Sequence, residues 1–216
     1  MKRTIVFLVS VFMLSLVSGK AQLFVGGNLS LSHQGGSYEV GSTSTDKTKT
    51  TSFGFYPKAG YFLSDQFAVG AQLGIALSNS KTPGTPETVN SSSTIGLTPF
   101  VRYYVLQMDK FSIFGQGHLG LSLGSQKTKS GNTTTKGPKT TTVSLGIFPG
   151  VAYDVSDNLS LEIQINALNL GYSLQTVKND NTDPKTKDVT SSFNFGAGLN
   201  NIVNTGSISV GAIYRF

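Results

Sequence analysis

The side chains of this 216-residue chain best suited to chemistry are ionisable groups that stand in otherwise uncharged, alternating segments. An ionised side chain shut away from water must be paired or hydrated, because leaving it alone is very costly. An ion pair of Glu162 with Arg102, or with Lys58, would meet that need, and across a narrow pore it could also act as a gate. The set consists of Lys58, Arg102, His118, Asp154 and Glu162.

Alternation with a period of two residues recurs after the first 21 residues and predicts the β-strands that position these groups. In segment 69–78 the odd positions are apolar, and the even ones are Gly, Gln, Gly, Ala and Ser. Segment 159–166 has Ser, Glu, Gln and Asn on its even face. Such strands build either a soluble sandwich with a solvated polar face or a membrane barrel whose polar face lines the interior.

Three features favour the membrane barrel. Only 13% of the residues are charged, so the polar faces lack the Lys and Glu of a solvated sheet. The chain ends in a strand, 208–216, whose last residue is aromatic. The connections alternate in length, as they do in outer-membrane barrels. The predicted short turns are 64–66, 107–110 and 156–158, and the predicted long loops are 34–50, 79–92, 125–140 and 175–190.

Residues 1–21 have the features of a secretory signal peptide that is cleaved before Gln22. Lys2 and Arg3 precede a short apolar run, and small residues flank the cleavage position. An uncleaved membrane anchor is the alternative. We therefore assign 22–216 to one exported domain, which contains no cysteine and so depends on no disulfide.

The charge balance argues against a nucleic-acid-binding protein. The 17 basic and 11 acidic residues give a formal charge of +6, but three of the basic residues lie in the leader, which leaves +3 on 22–216. This mild excess is not the basic footprint of a protein that binds a phosphate backbone.

The strands that lead into the short turns share a repeated pattern of small or apolar residue, any residue, Tyr, any residue, apolar residue. The repeat predicts four tyrosines at one height on the lipid-facing surface. Amphipathic rings at the periplasmic membrane interface form such a girdle. The four are Tyr61, Tyr103, Tyr153 and Tyr214.

The strands that run the other way also share a pattern. The sixth residue of each has an amide side chain, and its position in the alternation faces the barrel interior. Four amides at one level of a narrow barrel can hydrogen-bond to each other and to neighbouring hydroxyls. Four strands of each kind predict an all-β fold, an eight-stranded antiparallel up-and-down transmembrane β-barrel with short periplasmic turns and long extracellular loops. The amides are Asn28, Gln72, Gln116 and Gln164.

Two features interrupt this pattern. Pro57, Pro99 and Pro149 lie within strands on the lipid face, and a proline removes a ladder hydrogen bond, so we expect a local bulge at each. The apolar phase changes parity near Asn166, which indicates a further bulge. Segment 166–206 then forms either two extra strands or a hairpin extension above the membrane, and the alternation of connection lengths favours the extension.

The leader, the alternating strands of 9–11 residues, the Pro-Lys-Ala-Gly-Tyr-Phe-Leu-Ser-Asp segment at 57–65 and the Tyr-Arg-Phe terminus resemble the OmpA/OmpX-like outer membrane protein β-barrel domain family in its Bacteroidota form. The resemblance covers 22–216. It implies an eight-stranded fold in the cell outer membrane of a Gram-negative bacterium, with both ends of the mature chain periplasmic. It also implies that the assembly machinery reads an insertion signal in the last strand. The signal maps to Val210, Ala212, Tyr214 and Phe216.

That family includes structural proteins, adhesins, small channels and lipid A enzymes, so the resemblance implies no single activity. We expect a structural or surface-interaction role with polar side chains filling the lumen, because eight strands leave room only for side chains. The alternative is a small, low-conductance, porin-like diffusion channel, and a lipid A-modifying enzyme is a remote one. Two histidines and no cysteine offer no metal-ligand spacing. We therefore expect no enzyme activity, cofactor or metal.

The predicted loops are rich in Thr, Ser, Gly, Asn and Lys, and the third is distinctly basic. Such a rim could contact the phosphates of lipopolysaccharide, or it could simply be solvated and mobile. The expected partners are outer-membrane lipid and lipopolysaccharide, together with the assembly machinery during insertion, and we expect a monomer. The basic loop residues are Lys127, Lys129, Lys136 and Lys139.

Overall fold

The computed structural model describes residues 22–165, 168–179, 184–197 and 208–216. The predicted leader and the predicted bulge at Asn166 lie outside these residues. No helix in the described ranges has the length and hydropathy of a membrane span. The described strands are β1 (Gln22–Gln34), β2 (Ser37–Val40), β3 (Thr43–Asp46), β4 (Lys49–Phe62), β5 (Phe67–Thr82), β6 (Thr88–Met108), β7 (Phe111–Ser130), β8 (Thr133–Asp154), β9 (Leu159–Ile165), β10 (Leu168–Asn179), β11 (Thr186–Ala197) and β12 (Ile208–Arg215).

Eight of these strands close a ring in which all neighbours are antiparallel, in the order β1, β4, β5, β6, β7, β8, β9 and β12. The ring closes where β12 pairs with β1, for example through Val25 and Tyr214. β10 pairs with β8 beyond the end of β9, and β11 pairs with β10. β2 and β3 form a separate small hairpin. The predicted eight-stranded antiparallel barrel is therefore confirmed.

The two ends of the barrel differ. At one end, which we call the turn end, the connections between strands are short, and the Phe216 backbone N–H donates to the Leu23 carbonyl at 2.9 Å. The other end, which we call the hairpin end, carries the connections predicted as long loops. That part of the prediction is wrong in the middle of the chain: 83–87 alone separates β5 from β6, and only Gly131 and Asn132 separate β7 from β8.

The predicted loops are replaced there by continued strand pairing. β8 has 22 residues, which is about 70 Å of strand at ~3.3 Å per residue, whereas about 10 residues suffice to cross a membrane. The extended part of the hairpin is rich in Thr, a β-branched residue with high strand propensity. The composition that indicated loops therefore also permits long hairpins.

Pro57 and Pro99 lie within strands without the predicted bulges. The register is the same on both sides of each proline, although one neighbouring ladder skips the pairs at Tyr56 and Pro57 and the other skips those at Thr98 and Pro99. A proline lacks the N–H that the ladder needs, so pairs are lost while the strand stays in register. Pro149 lies next to the point where the partner of β8 changes from β10 to β9.

A bulge does occur further along the β7–β8 hairpin. Ser125 pairs with Lys139, and Lys127 pairs with Lys136, so β8 has one extra residue between the two pairs. Lys136 and Lys139 therefore face the same side of the sheet although three residues separate them.

The described parts of 166–206 form a hairpin, but the expectation that it lies above the membrane is wrong: Leu170 pairs with Ile147 and Tyr172 with Leu145, within the apolar outer face. Gly150 pairs with Gln164 and Ile147 with Leu170, so β8 advances three residues where the opposite strand advances six. β9 and β10 are thus offset from each other by three residues in their register with β8. β10 and β11 then pair as a hairpin above β9 and β12.

Candidate functional site

Arg102, Glu162 and Lys58 meet inside the barrel. The Arg102 Nη1 donates to Glu162 Oε1, its Nη2 donates to Glu162 Oε2 at 3.2 Å, and Lys58 Nζ donates to the same Oε2. None of these side chains is more than 1% exposed. The two ion pairs considered from the sequence therefore occur together and share one carboxylate. We call these three residues the ion cluster.

The ion cluster joins three separated parts of the wall. Lys58 lies on β4, Arg102 on β6 and Glu162 on β9, and these strands are not neighbours in the ring. The pairs link residues that are 60 and 104 positions apart in the sequence. The cluster therefore bridges the bore from one side to the other.

Arg102 has hydrogen bonds for all of its donors. Its Nε and Nη2 donate to Gln116 Oε1 at 3.1 and 2.7 Å, and its Nη1 donates to the Tyr104 hydroxyl at 3.1 Å. Together with the two bonds to Glu162, these account for the five N–H groups of a guanidinium. A fully paired guanidinium holds its plane and position, which fixes the geometry of the cluster.

The four predicted amides all lie on the inner face of the barrel. Gln116 Oε1 accepts hydrogen bonds from Arg102, a partner that the sequence did not predict. Gln72 is half-buried and lies opposite Lys58 in the ladder. Asn28 and Gln164 are buried, and Gln164 Nε2 has no hydrogen-bond partner among the described residues.

Aromatic rings fill the bore between the ion cluster and the turn end. Phe24, Phe62, Tyr104 and Phe114 form a continuous series with successive ring centroids 5.2, 5.8 and 5.7 Å apart. The Phe62–Tyr104 contact is stacked and the other two are tilted, and both arrangements are favourable for aromatic pairs at these distances. The expectation of a polar interior is therefore wrong at this level, where the filling is apolar. We call these four rings the aromatic layer.

A sequence signal for this layer exists. Buried Phe residues share the inward parity of the polar lumen residues, and three of the four stand opposite a glycine on a paired strand, whereas Phe62 stands opposite Gln22 and Ala68. A Cβ atom on Gly150 would come within 2.2 Å of the Phe114 ring, so the glycine makes room for the ring to lie against the wall. The Phe–Gly pairs are Phe24 with Gly60, Phe100 with Gly70 and Phe114 with Gly150.

A second ion pair lies at the turn end. Arg215 Nη2 is 3.3 Å from Asp154 Oδ1, and the Ser160 hydroxyl donates to the same oxygen. The guanidinium carbon of Arg215 is 5.3 Å from the centroid of the Phe62 ring. Sequence reasoning places Asp154 inside the barrel but misses Arg215, which was considered only as part of the terminal motif.

The two histidines lie in different environments. His118 is half-buried in the bore with its ring centroid 5.6 Å from that of Phe148, and its Nδ1 has no hydrogen-bond partner among the described residues. His33 is exposed at the hairpin end, where its Nδ1 and the Thr51 hydroxyl are 2.9 Å apart. Within the described ranges no group of three or more His, Asp or Glu side chains could hold a metal ion.

The bore changes character toward the hairpin end. Inward positions there are mainly Gly, Ala, Ser and Thr, and several hydroxyls pair across neighbouring strands. Ser52 and Ser78 are 2.8 Å apart, and Thr50 and Ser80 are 2.9 Å apart. Small side chains leave more of the bore unfilled here than at the level of the aromatic layer.

The predicted tyrosines lie on the outer face near the turn end, at equivalent ladder positions in all four hairpins. Exposed apolar side chains such as Leu73, Leu97 and Leu121 cover the outer face above them. On the last strand the side chains of Val210, Tyr214 and Phe216 are exposed on this face. The opposed residues are Leu23 with Tyr61, Phe67 with Tyr103, Phe111 with Tyr153 and Leu159 with Tyr214.

The predicted basic loop residues lie on paired strands instead of in a loop. Lys127 and Lys129 belong to β7, and Lys136 and Lys139 belong to β8. Lys127 lies directly opposite Lys136.

An antiparallel ring with an apolar outer face, a ring of tyrosines at one end and paired charges inside defines an integral membrane β-barrel. The chain matches the outer membrane protein beta-barrel domain family over residues 5–216. It therefore belongs to that family and is a protein of the cell outer membrane.

Similar solved structures include Neisserial surface protein A, at 18% identity over 92% of this chain and 100% of that chain, with a TM-score of 0.41. A major outer membrane protein from Thermus thermophilus is 14% identical over 92% of this chain and 100% of that chain, with a TM-score of 0.46. OprG from Pseudomonas aeruginosa is 11% identical over 91% and 95%, with a TM-score of 0.46. No curated protein sequence matches the chain.

Proposed function

We propose that this protein is a closed outer-membrane barrel with a structural or surface-interaction role, rather than an enzyme or an open pore. The observation that carries this proposal is the ion cluster, which bridges the bore directly above the aromatic layer. Arg102, Phe24 and Phe114 are at most 1% exposed, so water does not reach them. A bore filled in this way is suited to holding the barrel rigid and unsuited to transport.

The proposed orientation puts the turn end in the periplasm and the hairpin end outside the cell. Short periplasmic turns and longer external segments are usual in outer-membrane barrels. The β7–β8 hairpin continues well beyond the apolar outer face, so it would stand above the membrane as a rigid surface for interaction. The same orientation makes the last strand, with Phe216 at its end, available to the assembly machinery as the insertion signal.

A small diffusion channel is the second candidate. The observation that favours it is the bore toward the hairpin end, where small and hydroxyl-bearing side chains would line a hydrated vestibule. In that case the ion cluster would be a gate whose opening requires Glu162 to release Arg102 or Lys58.

Planar-bilayer recording on purified, refolded protein separates the two candidates. The variants are Arg102→Ala and Glu162→Gln, with Lys110→Gln as a control because Lys110 is exposed in a turn outside the bore. Heat-modifiable mobility on gels checks that each variant keeps a folded barrel. The closed-barrel proposal expects no stable unitary current from the parent protein.

The opposite result is equally clear. Stable unitary currents from the parent that change in amplitude with Glu162→Gln, and remain the same with Lys110→Gln, would overturn the closed barrel and support the channel. Absence of unitary currents from a folded parent protein would exclude the channel.

A further inference from the structure

A cavity of about 220 Å³, which we call the bore pocket, lies against the inner face of β7, β8 and β10. Leu145 and Ile147 border it through the wall, and their own side chains are exposed on the outer face. Drug-sized ligands occupy sites of about 300–1,000 Å³, so the bore pocket suits a smaller molecule. The inward-facing side chains that line it are those of His118, Ser144, Phe148 and Ser173.

Two paired glycines form the floor of the bore pocket. Gly146 on β8 pairs with Gly171 on β10 and, on its other side, with His118 on β7. A Cβ atom on Gly146 would come within 2.8 Å of His118 Cε1, so the imidazole lies over this glycine. A Cβ atom on Gly171 would meet the Leu145 carbonyl oxygen at 3.4 Å and nothing else in the described ranges within 4 Å. A side chain at 171 would therefore extend into the bore pocket, which the glycine keeps open.

The walls of the bore pocket combine an aromatic surface with polar atoms. The ring centroids of His118 and Phe148 are 5.6 Å apart with 45° between their planes, so both rings can contact a flat apolar group. The Nε2 atom of His118 would lie 3.3 Å from a Cβ on Gly146, which places it at the floor. The hydroxyl oxygens of Ser173 and Ser192 are 2.7 Å apart, and such a pair uses one O–H internally and can donate the other. These walls suit a ligand with a flat ring and hydrogen-bond acceptors.

The ion cluster supplies an excess of positive charge beside the bore pocket. Its two cations, Lys58 and Arg102, share one carboxylate, which leaves a formal excess of one positive charge. Gln116, which binds Arg102, lies opposite Phe148 in the ladder. It precedes His118 by two residues, or roughly 7 Å of strand. The excess charge therefore lies next to the pocket on the side of the turn end.

The described wall around the bore pocket contains no acidic side chain that offsets this excess. At the turn end, Asp154 is already paired with Arg215. Toward the hairpin end, the inward-facing Asp188 is exposed and lies four residues, or about 13 Å of strand, from Ser192. Charges attract more strongly where water is excluded, so the ion cluster would attract an anion into the bore pocket. The described wall segments above the cluster that lack acidic residues are 28–34, 50–58, 70–82, 88–102, 118–128, 140–148 and 171–175.

We propose that the bore pocket is a binding site for a small aromatic carboxylate that enters the bore from the hairpin end. The ring of the ligand lies against Phe148 and the paired glycines, and its carboxylate accepts hydrogen bonds from the imidazole and the serine hydroxyls. The excess charge of the ion cluster selects the anion over a neutral compound of the same shape. The inference rests on the proposed closed barrel, because the ion cluster and the aromatic layer then end the pocket toward the periplasm.

The test measures the affinity of refolded protein for three probes in neutral detergent micelles by ligand-observed NMR titration, with empty micelles as the blank. Benzoate carries the ring and the charge, benzamide is its neutral analogue, and acetate carries the charge without the ring. Gly171→Leu fills the bore pocket, and Lys58→Met removes the excess charge while Arg102 keeps its carboxylate partner. The matched control is Gly117→Leu, which adds the same side chain on the outer face of β7, where a Cβ would lie 3.5 Å from the nearest Val101 methyl.

The parent is expected to bind benzoate about tenfold more tightly than benzamide, which lacks the charge, and about tenfold more tightly than acetate, which lacks the ring. Gly171→Leu should weaken benzoate binding by about tenfold or more, because its side chain occupies the pocket. Lys58→Met should weaken benzoate binding about tenfold and leave benzamide binding within about threefold of the parent. Gly117→Leu should stay within about threefold of the parent for every probe. Heat-modifiable mobility on gels identifies the variants that fold, and the comparison of probes on the parent needs no variant.

Three results on the folded parent would each overturn the proposal: no binding of benzoate, equal binding of benzoate and benzamide, or equal binding of benzoate and acetate. A Gly171→Leu variant that binds benzoate like the parent would also overturn it. Loss of binding in Gly117→Leu alone would put the ligand on the outer face and so contradict the bore pocket. A parent protein that conducts in the bilayer experiment and still prefers benzoate would overturn the closed barrel and leave this site standing, so the two failures are distinguishable.

Discussion

The guanidinium carbon of Arg102 lies 3.9 Å from the centroid of the Phe114 ring, and the same guanidinium binds the Glu162 carboxylate. A cation over an aromatic face is attracted to the ring electrons, more strongly where water is excluded. Arg102 therefore couples the ion cluster to the aromatic layer. The two form one unit across the bore, so a change in either should affect both.

Loss of the Arg102 side chain should destabilise the barrel strongly. Arg102→Met leaves Glu162 with Lys58 alone and removes the donors to Gln116, and breaking a buried ion pair from one side costs about 3–5 kcal/mol. Urea unfolding of refolded protein, followed by circular dichroism because the chain has no tryptophan, measures this. Lys110→Gln, an exposed change, should shift the unfolding free energy by no more than about 0.5 kcal/mol. Equal stability of the two variants would show that the ion cluster contributes nothing to folding.

A methyl group added at Gly150 should be poorly tolerated. A Cβ there would lie 2.2 Å from the Phe114 ring, and overpacking a filled interior costs about 1–3 kcal/mol. Gly115→Ala is the matched control, since nothing lies within 4 Å of its Cβ position. Combining Gly150→Ala with Phe114→Leu should recover part of the loss from Gly150→Ala, measured as coupling in a double-mutant cycle. Additive effects would contradict the contact.

Two adjacent tyrosines on opposite faces of β6 should respond differently to loss of their hydroxyl groups. The Tyr104 hydroxyl is buried and accepts a hydrogen bond from Arg102, so Tyr104→Phe should cost about 1.5–3 kcal/mol. The Tyr103 hydroxyl donates to Gln66 at 3.3 Å in an exposed position, so Tyr103→Phe should cost much less. The unfolding midpoints of the two variants measure these losses of stability. A larger loss for Tyr103→Phe than for Tyr104→Phe would show that Tyr103, and not Tyr104, has the buried hydroxyl.

The proposed orientation predicts which end of the barrel a reagent reaches on intact cells. The chain has no cysteine, so a single introduced thiol is the only one to react. Asn132→Cys, at the tip of the β7–β8 hairpin, should react with a membrane-impermeant maleimide on whole cells. Asp157→Cys, in the turn before β9, should react only after the outer membrane is permeabilised. Labelling of Asp157→Cys on intact cells, with Asn132→Cys protected, would show that the barrel has the opposite orientation in the membrane.

Much of the fold could be predicted from the sequence because alternation fixes the face of each side chain. The four tyrosines, of which Tyr61 is the first, and the four amides, of which Asn28 is the first, each recur at the same position in their strands. That recurrence is enough to count eight strands and to align them. The same parity places Lys58, Arg102 and Glu162 inside the barrel before any partner is known.

The sequence by itself determined the strand faces, the strand number and the inward position of the charges. Only the tertiary structure decided that Glu162 is shared by two cations 60 and 104 residues away, since closing the ring sets which non-adjacent strands face each other. It also decided that Arg215 reaches Asp154 and that Phe rings fill the bore against glycines. The hairpins likewise continue as strands where loops were expected, because pairing in the sheet outweighs a composition that is equally compatible with loops. Parity assigns a side chain to a face, whereas its partners depend on the three-dimensional closure of the barrel.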